Sequence, residues 1–222
     1  MSERSNTPET NSTRPGETPS LWKQMLRSAV KLSLFTLAGV TLLLLAKQLT
    51  DEPIREAERA NLLATINQLL PADQYTNDLL RDTLQVTNPK VFGTDTPVTI
   101  YRARRDGQPV GLVLTTVAPD GYSGDIHIML AVYHDGRVAG VRVLKHKETP
   151  GLGDKVERRK SDWILSFNAR QLTAENAQAW AVRKDGGQFD QFTGATITPR
   201  AVVKAIRKTL NYVRQKGDSL YE

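Results

Sequence analysis

Between Lys31 and Lys47 the chain runs LSLFTLAGVTLLLLA, fifteen residues without a charge and with no polar stripe to make one face wet. A buried core helix of a soluble domain needs a solvated side, and this run has none. Fifteen residues fall short of a hydrocarbon core about 30 Å thick. Lys31 and Lys47 can lay their stems along the lipid and reach the head groups, which extends the span to residues 28–50 at a rise of about 1.5 Å per residue. Lys23, Arg27 and Lys31 precede the span, and Asp51 and Glu52 follow it. That asymmetry predicts a cytoplasmic N-terminus and a main domain on the far side, although Lys47, Arg55 and Arg59 reduce it. A cleaved signal peptide is the rival. The 31-residue lead is long for one, and no small-x-small site follows Leu45, so an uncleaved anchor is expected.

The span divides the 222 residues into three parts. Residues 1–27 open with a Ser, Thr, Pro, Glu and Asn tract that predicts a disordered cytoplasmic tail. Residues 28–50 form the transmembrane helix. Residues 51–222 are long enough to bury a core of their own. There Ile54, Ala57, Leu62, Ile66, Leu69 and Leu70 recur at helical spacing up to Pro71. Val98, Ile100, Val110, Leu112 and Leu114 flank Asp106-Gly107. Ile126, Ile128, Leu130 and Val132 alternate with His127, Met129, Ala131 and Tyr133, turn at Asp135-Gly136 and return through Ala139, Val141 and Val143. Two neighbouring Asp-Gly hairpins imply an antiparallel sheet. Leu172–Val182 is a short helix candidate. Pro199–Arg214 is a strong one, with Val202, Val203, Ile206, Leu210 and Val213 on one face, Thr198 as N-cap and Pro199 in first position. The fold expected is therefore α+β: an antiparallel sheet of hairpins with flanking helices, preceded by one N-terminal transmembrane helix.

Composition narrows the chemistry. There is no cysteine, which excludes disulfides, thiolate zinc and cysteine-held iron–sulfur clusters. His127, His134 and His146 are not spaced as metal ligands. Redox chemistry would need an organic cofactor. The net charge of +6 concentrates in Arg200, Lys204, Arg207, Lys208, Arg214 and Lys216. Such a stripe is a solvated face or meets lipid or a partner, and the membrane span argues against nucleic acid.

The most informative segment is Asp190 to Pro199, DQFTGATITP, a loop of small and hydroxyl residues running into a helix. A helix start presents unpaired N–H groups and a positive dipole end that suit a phosphate. Gly194 and Ala195 leave the Thr196 hydroxyl without bulky neighbours. On physics alone this is either a phosphate-friendly loop or an ordinary helix start.

The pattern D-x-x-T-G-A-T over Asp190–Thr196 resembles the acceptor motif on which flavin transferases attach FMN, through a phosphodiester, to the last threonine. That motif recurs in the FMN-binding domains of Rnf- and Nqr-type electron-transport complexes. Gly121-Tyr122-Ser123-Gly124, HKETPGLGDK from His146, Ser161–Trp163 and KDGGQFDQFTGATITPRAV from Lys184 fit the same family. Taken in order behind one span, they resemble the G subunits of Rnf complexes over roughly residues 20–215. The C subunit of sodium-translocating NADH:quinone reductases is the close alternative, and a tethered non-redox binding or scaffold domain is the alternative of another class.

The resemblance implies a covalent FMN on Thr196, with Asp190, Thr193, Gly194 and Ala195 forming the recognition set. It places the flavin near Glu148, Thr149, Gly151, Leu152 and Gly153, where Pro150-Gly151 suits a tight turn. It implies a bacterial inner-membrane subunit with a periplasmic domain, inactive alone. Its partners would be the other complex subunits, a flavin transferase and membrane lipid, and its electron flow would be coupled to ion movement. A regulatory role, keeping a redox sensor reduced, is equally compatible. His146 reads as an exposed loop histidine or a flavin neighbour. Trp163 and Trp180 read as core or as stacking partners. Glu148 and Asp154 do not read as a paired-carboxylate site.

Overall fold

The computed structural model describes residues 20–222; of the tail expected over residues 1–27, residues 1–19 lie outside them, and residues 21–27 are not tail but the first turns of a long helix, since Trp22, Met25 and Leu26 continue the apolar run into it. Contacts divide the chain into one unit ending at Glu58 and a second from Arg59 to Glu222.

The first unit is most of helix α1, Leu21–Asn67. Its most apolar window has a mean hydropathy of 2.0 and none of that window is buried. Leu34, Phe35, Leu42 and Leu43 are 69–80% exposed. Lipid removes that apolar surface from water, at roughly 1.5–3 kcal/mol per large side chain. The sequence suggests a span and a separate helix from Pro53, whereas α1 runs through Pro53 without a break. Proline forfeits one intrahelical hydrogen bond, and the Glu, Arg, Ala and Leu residues around it are strong enough helix formers to carry the helix on.

In the second unit five strands lie in chain order as an antiparallel meander: β1 Thr83–Val86, β2 Val98–Arg105, β3 Gln108–Ala118, β4 Ile126–Tyr133 and β5 Val138–Lys145. A one-turn helix α2, Pro89–Phe92, joins β1 to β2. Both expected hairpins are present. Asp106 and Gly107 sit at φ 52° and 81°, the left-handed pair that a two-residue turn needs to match strand twist.

The alternation in β4 correctly separates two faces, yet both are dry. Ile126, Ile128, Leu130 and Val132 pack toward helix α3, Ile197–Lys216, whose Val202, Val203, Ile206 and Leu210 are at most 3% exposed. Met129 and Ala131 on the opposite face are covered by Ile66, Leu69, Leu70 and Leu79. The segment closing α1 therefore lids the sheet that follows it. A third cluster joins Phe92, Ile100 and Leu114 to Leu220 and Tyr221, where Arg102 Nε donates to the Leu220 carbonyl at 2.8 Å.

Leu172–Val182 is not a helix. It holds only a 3-10 turn at Ala177–Ala179. Thr173 and Asn176 bond each other's backbone N–H groups, at 2.9 and 3.3 Å, and this local alternative outcompetes a helical ladder. Leu172, Trp180 and Val182 reach the core singly rather than as a stripe.

Candidate functional site: a cleft of three turns

Three irregular segments converge at the start of α3. In the first, Thr149 O accepts from Leu152 N at 3.2 Å across Pro150-Gly151, with Gly151 at φ 79°. That is the type II turn the dipeptide predicts. In the second, Phe192 O accepts from Ala195 N at 3.0 Å across Thr193-Gly194, with Gly194 at φ 79°. The loop's base is fixed by aromatic packing. Phe192 meets Trp163 edge-on at 5.1 Å, and Trp163 Nε1 donates to the Asp190 carbonyl at 2.7 Å. The third is the Gly121–Gly124 turn. A Cβ on Gly121 would lie 2.2 Å from the Gly124 carbonyl oxygen, so only glycine fits there.

Glu148 ties the three together. It is 4% exposed; Oε1 accepts from Ser123 N at 2.9 Å and Oε2 accepts from the Thr198 hydroxyl. Its own N–H donates to His146 Nδ1 at 3.0 Å, and His146 Nε2 reaches Glu157 Oε1 at 2.8 Å. With Nδ1 accepting, Nε2 is the protonated nitrogen that donates to Glu157. The Arg159 guanidinium, and after it His146, hold the Glu157 carboxyl below its ordinary range. The His146 side chain is 10% exposed, which corrects the reading of an exposed loop histidine. Beyond this chain of bonds Asp154, 5% exposed, keeps Oδ1 unpartnered, with Lys160 Nζ 3.7 Å from Oδ2.

The start of α3 also departs from expectation. Thr196, not Thr198, occupies the N-cap position, and its side chain makes no capping hydrogen bond. Thr198 is buried in the first turn with its hydroxyl committed to Glu148.

A cleft of about 290 Å³ opens between these segments, lined by Tyr122, Glu148, Thr149, Leu152, Gly153, Gly194, Ala195, Thr196, Ile197 and Thr198. Seven of the residues singled out from sequence therefore line one space. Asp190, Thr193 and Gly151 do not: Asp190 is exposed with Oδ1 3.0 Å from Arg183, and Gly151 shapes the turn behind. Tyr122, Ile197 and Thr198 line the cleft without having been assigned to it. Tyr122, set among glycines in a turn, carries the one signal that could have found it. Trp163 and Trp180 are core, 9% and 1% exposed. A cavity of about 390 Å³ near the Tyr133–Gly136 turn contains none of the residues assigned to the flavin site.

Comparison with known proteins agrees with this geometry. A family described as FMN-binding domain matches residues 121–211, and one described as RnfG N-terminal region matches residues 18–69. The chain is 47% identical over 195 residues to the G subunit of the ion-translocating oxidoreductase complex of Vibrio cholerae serotype O1, covering 88% of this chain and 93% of that protein. It is 46% identical over 200 residues to the corresponding G subunit of Pseudoalteromonas atlantica, covering 90% and 93%. For the G subunit of Shewanella loihica the figures are 43% over 198 residues, 89% and 93%.

Proposed function

The chain belongs to the family of G subunits of ion-translocating oxidoreductase complexes, and we propose that within such a complex it relays electrons through an FMN esterified to Thr196. The observation that carries this reading is the setting of the Thr196 hydroxyl. Thr196 lines the cleft, is half-buried, and its side chain makes no capping bond. It is free to be esterified.

The lining suits a flavin ring. Tyr122, Leu152 and Ile197, 68%, 43% and 44% exposed, form an apolar rim around the cleft. A planar ring laid there would cover apolar surface that otherwise faces water. The volume sits at the lower edge of the roughly 300–1,000 Å³ of ligand pockets, room for a ring system but not a whole nucleotide. A phosphate on Thr196 would stand at the wall of the same cleft. The backbone of the Thr149–Gly153 turn approaches one side of the cleft. Gly153 is packed so closely that a Cβ would lie 2.7 Å from Glu148 Oε2 and 2.8 Å from Thr198 Oγ1. Bound FMN would supply one- and two-electron chemistry, and the protein's part is to orient the ring and limit its contact with water. Asp190, Thr193, Gly194 and Ala195 would present the loop to the transferase.

The α1 helix anchors the protein in a membrane. We place its N-terminus in the cytoplasm and the flavin domain in the periplasm of a bacterial inner membrane, on the strength of Lys23, Arg27 and Lys31 before the span. Coupling of electron flow to ion movement would be the work of the assembled complex.

The test is intact mass and in-gel flavin fluorescence of denatured chain co-produced with a flavin transferase, beside Thr196→Ala. One FMN on the wild type and none on the variant is expected. An unmodified wild type, with the transferase active on a control acceptor, would overturn the reading in favour of a tethered binding domain.

A further inference from the structure

The cleft lacks what a flavin phosphate ordinarily requires. Among its described lining residues there is no Lys, Arg or His, and the one carboxylate is the buried Glu148. Three of the cations flanking the acceptor loop are engaged elsewhere. Arg183 pairs with Asp190 at 3.0 Å, Arg200 with Asp185 at 2.6 Å, and Lys204 with Asp120. The start of α3 is a weakened anion site too. Pro199 has no N–H to offer, the Thr198 hydroxyl is turned to Glu148, and that carboxylate already meets the positive end of the helix. Glu148 accepts from both its partners and donates to neither.

Resting on the reading of this cleft as the flavin site, we propose that Glu148 makes the cleft reject free FMN, so that the flavin is held there only through its ester. A phosphomonoester carries between one and a half and two negative charges, roughly, near pH 7, and a diester carries one. Free FMN would bring the larger charge against a buried carboxylate in a cleft that no cation lines. Once the ester is made, the covalent bond supplies the attachment and the smaller charge is tolerated. Loading is then decided by the transferase and not by the cell's free FMN, and an unmodified chain keeps its cleft open until the transferase acts. Glu148 is thus a specificity-determining residue as well as the tie between three loops.

The experiment uses the full chain in detergent with Thr196→Val, which removes the acceptor, titrated with riboflavin and with FMN while flavin fluorescence is followed. Riboflavin is expected to bind about tenfold or more tightly than FMN. High salt should narrow that gap only slightly, since a carboxylate as buried as Glu148 is little screened. Adding Glu148→Gln should close most of it, because glutamine still accepts from Ser123 N–H and the Thr198 hydroxyl can turn to accept from the amide. Glu148→Asp, which keeps the charge, should preserve the gap. FMN binding as tightly as riboflavin, or a gap that Glu148→Gln leaves unchanged, overturns the proposal. If neither flavin binds while the wild-type chain carries one FMN by mass, the proposal falls and the cofactor reading stands. A wild type without FMN overturns both.

Discussion

The sheet and the cleft are built by opposite means. Strands β2 to β5 repeat one local rule, alternate residues on alternate faces with Asp-Gly at the β2–β3 and β4–β5 turns, and the core on the α3 side follows from it. The cleft has almost no regular structure. Its three turns are held by contacts between residues far apart in the chain: Glu148 with Ser123 and Thr198, and Trp163 with Asp190 and Phe192. Strength is spread through the sheet and concentrated at a few points in the cleft. Damage to one should therefore be separable from damage to the other.

The largest stability effect is expected on the sheet side. Leu130→Ala removes a fully buried side chain between β4 and α3 and should cost about 2–5 kcal/mol, read as a drop in Tm, while the chain that remains folded still accepts FMN. Loss of loading in proportion to far more than the unfolded fraction would break the separation.

A matched glycine pair sharpens it. Gly107 in the β2–β3 hairpin and Gly151 beside the cleft sit at φ 81° and 79°, and an added Cβ at either meets nothing within 4 Å. Alanine at each should cost about 1–2 kcal/mol from the left-handed backbone alone. Equal falls in Tm are expected, with slower FMN loading only for Gly151→Ala. Equal loading in both would show that the Pro150-Gly151 turn has no part in presenting the cleft.

The smallest effect concerns the Glu157 support behind His146. Its carboxyl is held low by Arg159 and then by His146, so the folded state gains stability above the ordinary Glu range and loses it as pH falls through the lowered folded value. Glu157→Gln should be less acid-sensitive than wild type over that window, by thermal unfolding at pH steps down from neutral. Identical acid dependence would show that the His146–Glu157 pair contributes nothing to the loop.

What the sequence made legible follows the same division. The two hairpins and the apolar face of α3 were readable because each rests on neighbours in sequence. The acceptor loop was readable only through its resemblance to a known motif. The double burial of β4 was not, since nothing in Met129 or Ala131 announces that Ile66 and Leu70 will cover them. The helix cap was misread for a related reason. Thr198 has the right residue type, but the Glu148 carboxylate, fifty positions away, claims its hydroxyl and leaves Thr196 at the cap. Leu172–Val182 failed because Thr173 and Asn176 satisfy one another locally.

The central claim, that Thr196 carries the flavin, is tested most directly by peptide mapping of chain co-produced with an active transferase. Trypsin releases residues 185–200, which hold three threonines, Thr193, Thr196 and Thr198. The account requires this peptide to be heavier by one esterified FMN, with fragment ions placing the mass on Thr196. An unmodified peptide, or FMN on Thr193 or on the buried Thr198, would contradict it.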